Sequence, residues 1–291
     1  MPDLPDLGVP LRSRFVDGAG VRLHVVEAGP EDGPLVLLLH GFPEFWYGWR
    51  HQVPALARAG WRVWAPDGRG YNRSDAPAGV AAYDVDRLAD DVEALMEAAG
   101  VERAHVVGHD WGAVVAWWLA LRSPERVDRL AVLNVPHPVA FREFLPRSPV
   151  QLARSWYVGF FQLPALPEVV LRRTGAWALR RTSAPGTFSD ADLARYQAAW
   201  DRPGRARGMI SWYRALARRL ATFEVEDPTV RRPALILWGE DDAFLDRRLA
   251  ARSAAFCADV RLRTLPGVSH WVQHEAADRV NAELAGFLGA P

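Results

Sequence analysis

Lysine is missing altogether: the 35 basic residues are all arginine, set against 35 acidic ones. That bias follows codon composition more than chemistry and carries no functional weight. The balance itself excludes a bulk field that would draw nucleic acid, anionic lipid or a polyanionic substrate. Neutral partners are expected, and neither a nucleic acid nor a membrane. Cysteine is nearly as scarce. The single Cys257 rules out an internal disulfide and fits a reducing, cytoplasmic setting, with the thiol serving as a small buried apolar side chain. No apolar run approaches the roughly 20 residues of a spanning helix. The stretch from Met1 to Pro10 has neither a basic start nor an apolar run, so no secretory signal is expected. Missing too are a Gly-x-Gly-x-x-Gly or Gly-Lys-Ser/Thr loop after a strand and a His-Glu-x-x-His pair, so no cofactor and no metal are expected. There are no repeats or low-complexity tracts.

What is present is ordinary for a folded chain of 291 residues: 49% hydrophobic and 24% charged. Thirteen tryptophans are far above usual usage and point to an apolar cavity or a broad aromatic interface. The first half alternates short apolar runs with helix-period segments, the pattern of a mostly parallel sheet covered by helices. Arg12 to Phe15 and Val21 to Val26 flank a hairpin turn, Asp17-Gly18-Ala19-Gly20. Leu35 to His40, Arg62 to Ala65, Ala104 to Gly108 and Arg129 to Val135 read as strands. Helices are expected from Gly48 to Ala59, after Asp84, and from Trp111 to Leu121; the second carries Val85, Leu88, Val92, Leu95 and Met96 on one face and ends near Gly100. From 136 to 227 the pattern becomes Pro-interrupted, Arg- and Trp-rich and helical, without convincing strands. Strands resume at Ala234 to Trp238 and Val260 to Leu265. The expected organisation is therefore an α/β core from 1–135 and 228–291, with a helical insertion at 136–227.

Chemistry concentrates where strands end. After Ala104 to Val107 comes Gly108-His109-Asp110-Trp111-Gly112, and an apolar helix follows at once. Two glycines around one central residue between strand and helix make a nucleophile elbow, which projects that residue into a cleft at a helix N-terminus. Here it is Asp110, and a carboxylate can attack an electrophilic sp3 carbon to give an ester that water later hydrolyses. Downstream, Gly239-Glu240-Asp241-Asp242 follows one strand and Pro266-Gly267-Val268-Ser269-His270 the next. His270 is the expected general base and spacing favours Asp242 as its supporting acid, with Glu240 and Asp241 as solvated loop charges. The other position where an acid could sit, after the strand ending at Val135, holds Asn134, which carries no charge. His40-Gly41-Phe42-Pro43 lies opposite the elbow, so the amides of Phe42 and Trp111 are the expected oxyanion hole. Asp67-Gly68-Arg69-Gly70 reads as mainly structural.

Together with Glu44 and Trp271, these segments resemble the epoxide hydrolase branch of the α/β-hydrolase superfamily. The likeness covers nearly the whole core and, more loosely, the insertion. It implies a mostly parallel eight-stranded sheet with a helical cap, and conversion of an epoxide and water to a vicinal diol. In that family two cap tyrosines hold the epoxide oxygen. The segments Trp156-Tyr157-Val158-Gly159-Phe160-Phe161-Gln162 and Ser211-Trp212-Tyr213-Arg214 are similar to the family's, which points to Tyr157 and Tyr213. The resemblance further implies that Glu44 helps position the hydrolytic water and that Trp156, Phe161, Trp212 and Trp271 line the substrate or water site. Haloalkane and haloacid dehalogenases share the core and the Asp-Trp pair. Phe42 stands where haloalkane dehalogenases often carry an asparagine halide donor, and Trp111, Ala113 and Val114 offer no arginine to a haloacid carboxylate. A non-enzymatic receptor on this fold would be expected to have lost Asp110, Asp242 or His270. The expected partners are a small neutral epoxide and water, in a monomer or homodimer.

Overall fold

The computed structural model describes residues 4–219 and 224–291. The first three residues of the expected core, and 220–223 of the expected insertion, lie outside the described residues.

The apolar runs form β1 (Leu11–Asp17), β2 (Arg22–Ala28), β3 (Leu35–Leu39), β4 (Arg62–Pro66), β5 (Ala104–His109), β6 (Val127–Leu133), β7 (Ala234–Gly239) and β8 (Val260–Leu265). They make one eight-stranded sheet ordered β1-β2-β4-β3-β5-β6-β7-β8, with β2 antiparallel to both its neighbours and the rest parallel. β3, β5 and β7 are buried along their whole length, which is why they read as unbroken apolar runs and not as alternating ones.

Helices cover the sheet. α1 (Gln52–Arg58) is shorter than the expected Gly48 to Ala59, because Pro54 has no N–H to donate and belongs in a first helical turn; a 3-10 turn, Trp46–Trp49, precedes it. α2 (Val85–Ala98) starts at Asp84, whose carboxylate accepts from the Asp86 amide, and buries all five residues of its expected apolar face. α3 (Trp111–Arg122) is buried on almost every side. β6 stops at Leu133, short of the expected Val135, because Asn134 turns the chain at φ 51°.

Between β6 and β7 run α4 (Pro138–Phe144), α5 (Pro149–Arg154), α6 (Trp156–Phe160), α7 (Leu166–Thr182), α8 (Asp190–Trp200) and α9 (Arg205–Arg219), with no strand among the described residues of that stretch. α10 (Arg248–Ala254), α11 (Val272–Glu275) and α12 (Ala277–Leu288) complete the chain. No helix among the described residues is long and apolar enough to cross a membrane. Cys257 is half-buried, not fully buried as expected, and desolvation pushes its thiol up to about 12. Because β3, β5, β6 and β7 are neighbours in parallel, the loops leaving their C-terminal ends converge on one crevice.

Candidate active site

Asp110 occupies the corner between β5 and α3 with φ 48° and ψ −123°, a conformation that costs a non-glycine residue free energy and must be held by its surroundings. The glycines beside it allow that hold. A Cβ on Gly112 would collide with the Leu39 carbonyl oxygen, and one on Gly108 with that of Gly112. One carboxylate oxygen of Asp110, Oδ1, accepts from the Phe42 amide at 2.6 Å; the other, Oδ2, faces His270 Nε2 at 3.5 Å. Burial alone would favour the neutral acid, but the hydrogen bond and charge of His270, with the Phe42 amide, hold Asp110 below its ordinary value. It therefore stays an anion. Of the two amides expected in the oxyanion hole, Phe42's meets the carboxylate; Trp111's begins α3 and makes no hydrogen bond to it.

His270 turns its other nitrogen to Asp242, with Nδ1 at 2.7 Å from Oδ2. Asp242 is buried, whereas Asp241 is exposed and Glu240 half-buried, so the side chain that reaches the histidine is the one spacing favoured. Oδ1 of Asp242 accepts from the amides of Phe244 and Leu245 at 2.7 and 2.9 Å. Asn134 supplies the remaining donor. Its Nδ2 donates at 2.7 Å to the same Oδ2 that receives His270, while its Oδ1 accepts from the Gly239 amide at 2.8 Å. The residue unable to replace the acid thus orients it and staples the end of β6 to the end of β7. Burial works against a charged His270, yet Asp242 and then Asp110 overrule it and raise its affinity for a proton to about 10.

Tyr157 on α6 and Tyr213 on α9 face each other with ring centroids 5.9 Å apart. Desolvation, reinforced by the Asp110 charge, raises both phenols, so both remain O–H donors beside the nucleophile. Phe161 joins them, 4.7 Å from Tyr213 and 5.3 Å from Phe42. Trp212 is buried edge-on against Trp111, but its indole N–H is taken by the Arg69 carbonyl. Trp271 lies against His270 at 5.3 Å and donates to Thr182. Trp156 departs from the expectation: it is 68% exposed, because a short helix that turns Tyr157 and Phe161 inward turns residue 156 to the outside.

Glu44 sits in a second, fully enclosed cluster. Its carboxylate accepts from Tyr196 at 2.7 Å, Gln273 at 2.9 Å and His274 Nε2 at 2.7 Å, with His109 Nδ1 at 3.3 Å. His274 Nδ1 accepts from Arg50 at 2.8 Å, so its other nitrogen must carry the proton given to Glu44. His109 links the cluster to the base, its Nε2 donating to the His270 carbonyl at 2.9 Å. Burial opposes ionisation of Glu44, but His274 and His109 outweigh it and hold the acid well below its usual range. His109, Tyr196, Gln273 and His274 were not singled out by sequence. The available signal was weak: His109 lies inside the elbow motif, and Gln273 and His274 follow His270 within four residues. Asp67 accepts from His24, Asn72 and the Trp46 amide, and Arg69 pairs with Asp91, a structural use of that loop.

Comparison with known proteins adds to this geometry. Residues 34–277 match the family described as alpha/beta hydrolase fold. The chain is 42% identical to the AB hydrolase superfamily protein YfhM of Bacillus subtilis, over 96% of this chain and 98% of that one. It is 37% identical to Epoxide hydrolase 2 of Caenorhabditis elegans, over 94% of this chain and 79% of its relative. Among solved structures, Epoxide Hydrolase A from Mycobacterium thermoresistibile superposes with a TM-score of 0.82 at 34% identity, covering 96% of this chain and 98% of the other. A mutant epoxide hydrolase from Bacillus megaterium, complexed with its product (R)-3-[1]naphthyloxy-propane-1,2-diol, gives 0.86 at 30%, covering 94% and 99%.

Proposed function

The chain belongs to the epoxide hydrolase branch of the α/β-hydrolase superfamily, and on that premise we propose that it opens a neutral, aryl-bearing epoxide to a vicinal diol through an ester on Asp110. Residues 1–135 and 228–291 act as the catalytic core and 136–227 as the cap. Asp110 attacks one ring carbon through Oδ2, and the ring oxygen takes a proton from Tyr157 or Tyr213 as its bond to that carbon breaks. Esterification removes the Asp110 charge, one of the two that keep His270 protonated. His270 then gives up its proton to restore the phenol and becomes a base. It next accepts a proton from water attacking Cγ of the ester, while Oδ1 draws on the Phe42 amide. The ester's bond to the diol oxygen breaks, the diol leaves, and the Asp110 anion and protonated His270 return. The single observation that carries this reading is a half-buried carboxylate with two protonated phenols on one side and a histidine–carboxylate pair on the other.

Support for an aromatic substrate comes from the ring-lined wall of Phe42, Phe161, Trp111 and the two tyrosines, and from the naphthyloxy product of the Bacillus megaterium relative. A dehalogenase has less support, since a halide is a stable leaving group that needs no phenolic proton. The single thiol suits a reducing, cytoplasmic setting. The test is the intact mass of His270→Gln after addition of a styrene-type epoxide. One persistent adduct on Asp110 is expected; slow diol release from an unmodified protein would refute the ester. In single-turnover alkylation, Tyr157→Phe with Tyr213→Phe should remove nearly all epoxide opening. Each phenol is worth about 2–4 kcal/mol by the measure of an oxyanion-hole donor. Alkylation at the wild-type rate in the double variant would refute the role given to the phenols.

A further inference from the structure

Seven large apolar side chains stand out as exposed among the described residues, and six of them fall between positions 150 and 177: Val150, Leu152, Trp156, Leu163, Leu166 and Trp177. On α7 they follow helical spacing. Leu166, Val170, Arg173, Trp177 and Arg181 recur at intervals of three and four and share one outward face, while Pro167, Leu171, Gly175 and Leu179 are buried on the other. Trp156 rests on Phe160 at 6.0 Å, and the Phe160 carbonyl accepts from the Leu163 amide, so α6 leads into the α7 face without a break.

At the start of α7 this ridge borders a concavity of about 510 Å³ lined by Gln162, Ala165, Glu168, Arg172, Arg207 and Arg214 among others. Arg214 is committed to Glu168 and to the carbonyls of Phe161 and Leu163. The guanidinium groups of Arg172 and Arg207 make no hydrogen bond or ion pair among the described residues. The zero net charge of the whole chain hides this asymmetry, for residues 136–227 hold 14 arginines against 8 acidic residues. Arginine matches phosphate oxygens in pairs, and tryptophan prefers the boundary between water and hydrocarbon.

We propose that this face docks peripherally on an anionic phospholipid surface, the ridge from Trp156 to Trp177 entering the interface while Arg172 and Arg207 take lipid phosphates. Such attachment needs no spanning helix. A second copy of the chain suits the face less, because a two-fold contact would bring the same arginine-rich surface against itself. The proposal is independent of the ester chemistry, so binding should be the same in Asp110→Asn.

Co-sedimentation with sucrose-loaded vesicles tests it. The wild type should pellet with phosphatidylcholine vesicles containing phosphatidylglycerol, and stay in solution with phosphatidylcholine alone. Added salt should weaken the association. Leu166→Ser with Trp177→Ser, and separately Arg172→Gln with Arg207→Gln, should each reduce it by about tenfold or more. Both variants should keep the wild-type circular dichroism and turnover of a water-soluble epoxide; if the first does not fold, Trp177→Gln alone replaces it. Failure of the wild type to pellet with anionic vesicles, or undiminished binding by the variants, overturns the proposal. So does a wild-type dimer in sedimentation velocity that Leu166→Ser with Trp177→Ser dissolves while vesicle binding is absent, which would assign the face to self-association.

Discussion

Two buried histidines sit four residues apart in sequence and in opposite electrostatic worlds. His270 lies between the carboxylates of Asp242 and Asp110, which overcome burial and bring it up to about 10. His274 touches one carboxylate, Glu44, but its far nitrogen faces Arg50; burial, only partly offset by Glu44, brings it down to about 4. Side-chain type and degree of burial are the same. What differs is the number and sign of charges within hydrogen-bond reach, and that decides which imidazole is charged at neutral pH. In the proposed reaction one of the two anions beside His270 disappears during turnover, whereas Glu44 keeps its charge beside a neutral His274.

The largest effect should come from unbalancing the catalytic side. Asp242→Asn removes the charge that supports imidazolium and should lower turnover by roughly three to four orders of magnitude. Asp241→Asn, on the exposed neighbour, should change it little. Equal large losses in steady-state kinetics, with folding intact, would show that the acid is misassigned. On the structural side, Arg50→Gln takes the charged donor from His274 Nδ1 and the cation from Asp192, and should cost about 3 kcal/mol in urea unfolding. His274 should then titrate above its present value, as followed by NMR of its ring; an unmoved His274 would mean that Arg50 does not set it.

A finer adjustment is Asn134→Ala, which takes away one donor from the Asp242 oxygen that His270 uses. Turnover should drop by about tenfold, and the alkaline limb of the rate profile should move up, since a less occupied carboxylate attracts the imidazolium more strongly. Loss of stability without any change in that limb would leave Asn134 a mere staple. The smallest effect is on stability against pH, where the two histidines pull apart. His270 is raised on folding, so its stabilisation is complete below its ordinary value of 6.5 and fades as pH climbs towards about 10. His274 is lowered, so its contribution holds above 6.5 and fades as pH falls towards about 4. Unfolding midpoints across pH should flatten on the alkaline side in His270→Gln and on the acid side in His274→Gln.

That contrast also explains what could be read from sequence. The strands and the elbow were legible because each is local: an apolar run, two glycines, a residue between them. His270 and Asp242 were legible as residues that follow successive strands in a parallel sheet. The Glu44 cluster was not, because its partners Tyr196 and His274 come from 152 and 230 positions away and no spacing rule joins them. Trp156 was misjudged for a related reason. A segment similar to a known one says which residues are near a site, but a helix turns successive side chains by about 100°, so residue 156 cannot share the face of residues 157 and 161.

Strands β6 and β7 are neighbours in the sheet, with Leu130 beside Ala234, although a hundred residues of chain separate them. The path of six helices therefore leaves and re-enters the framework at adjacent points, closed by the Asn134 staple. For lineages descending from such a chain, this junction behaves as a socket. Helices carrying the phenols and the outer ridge can lengthen, shorten or be replaced without altering the pairing of any strand. The shape of the cleft can accordingly drift at a pace of its own, while Asp110, His270 and Asp242 keep their places.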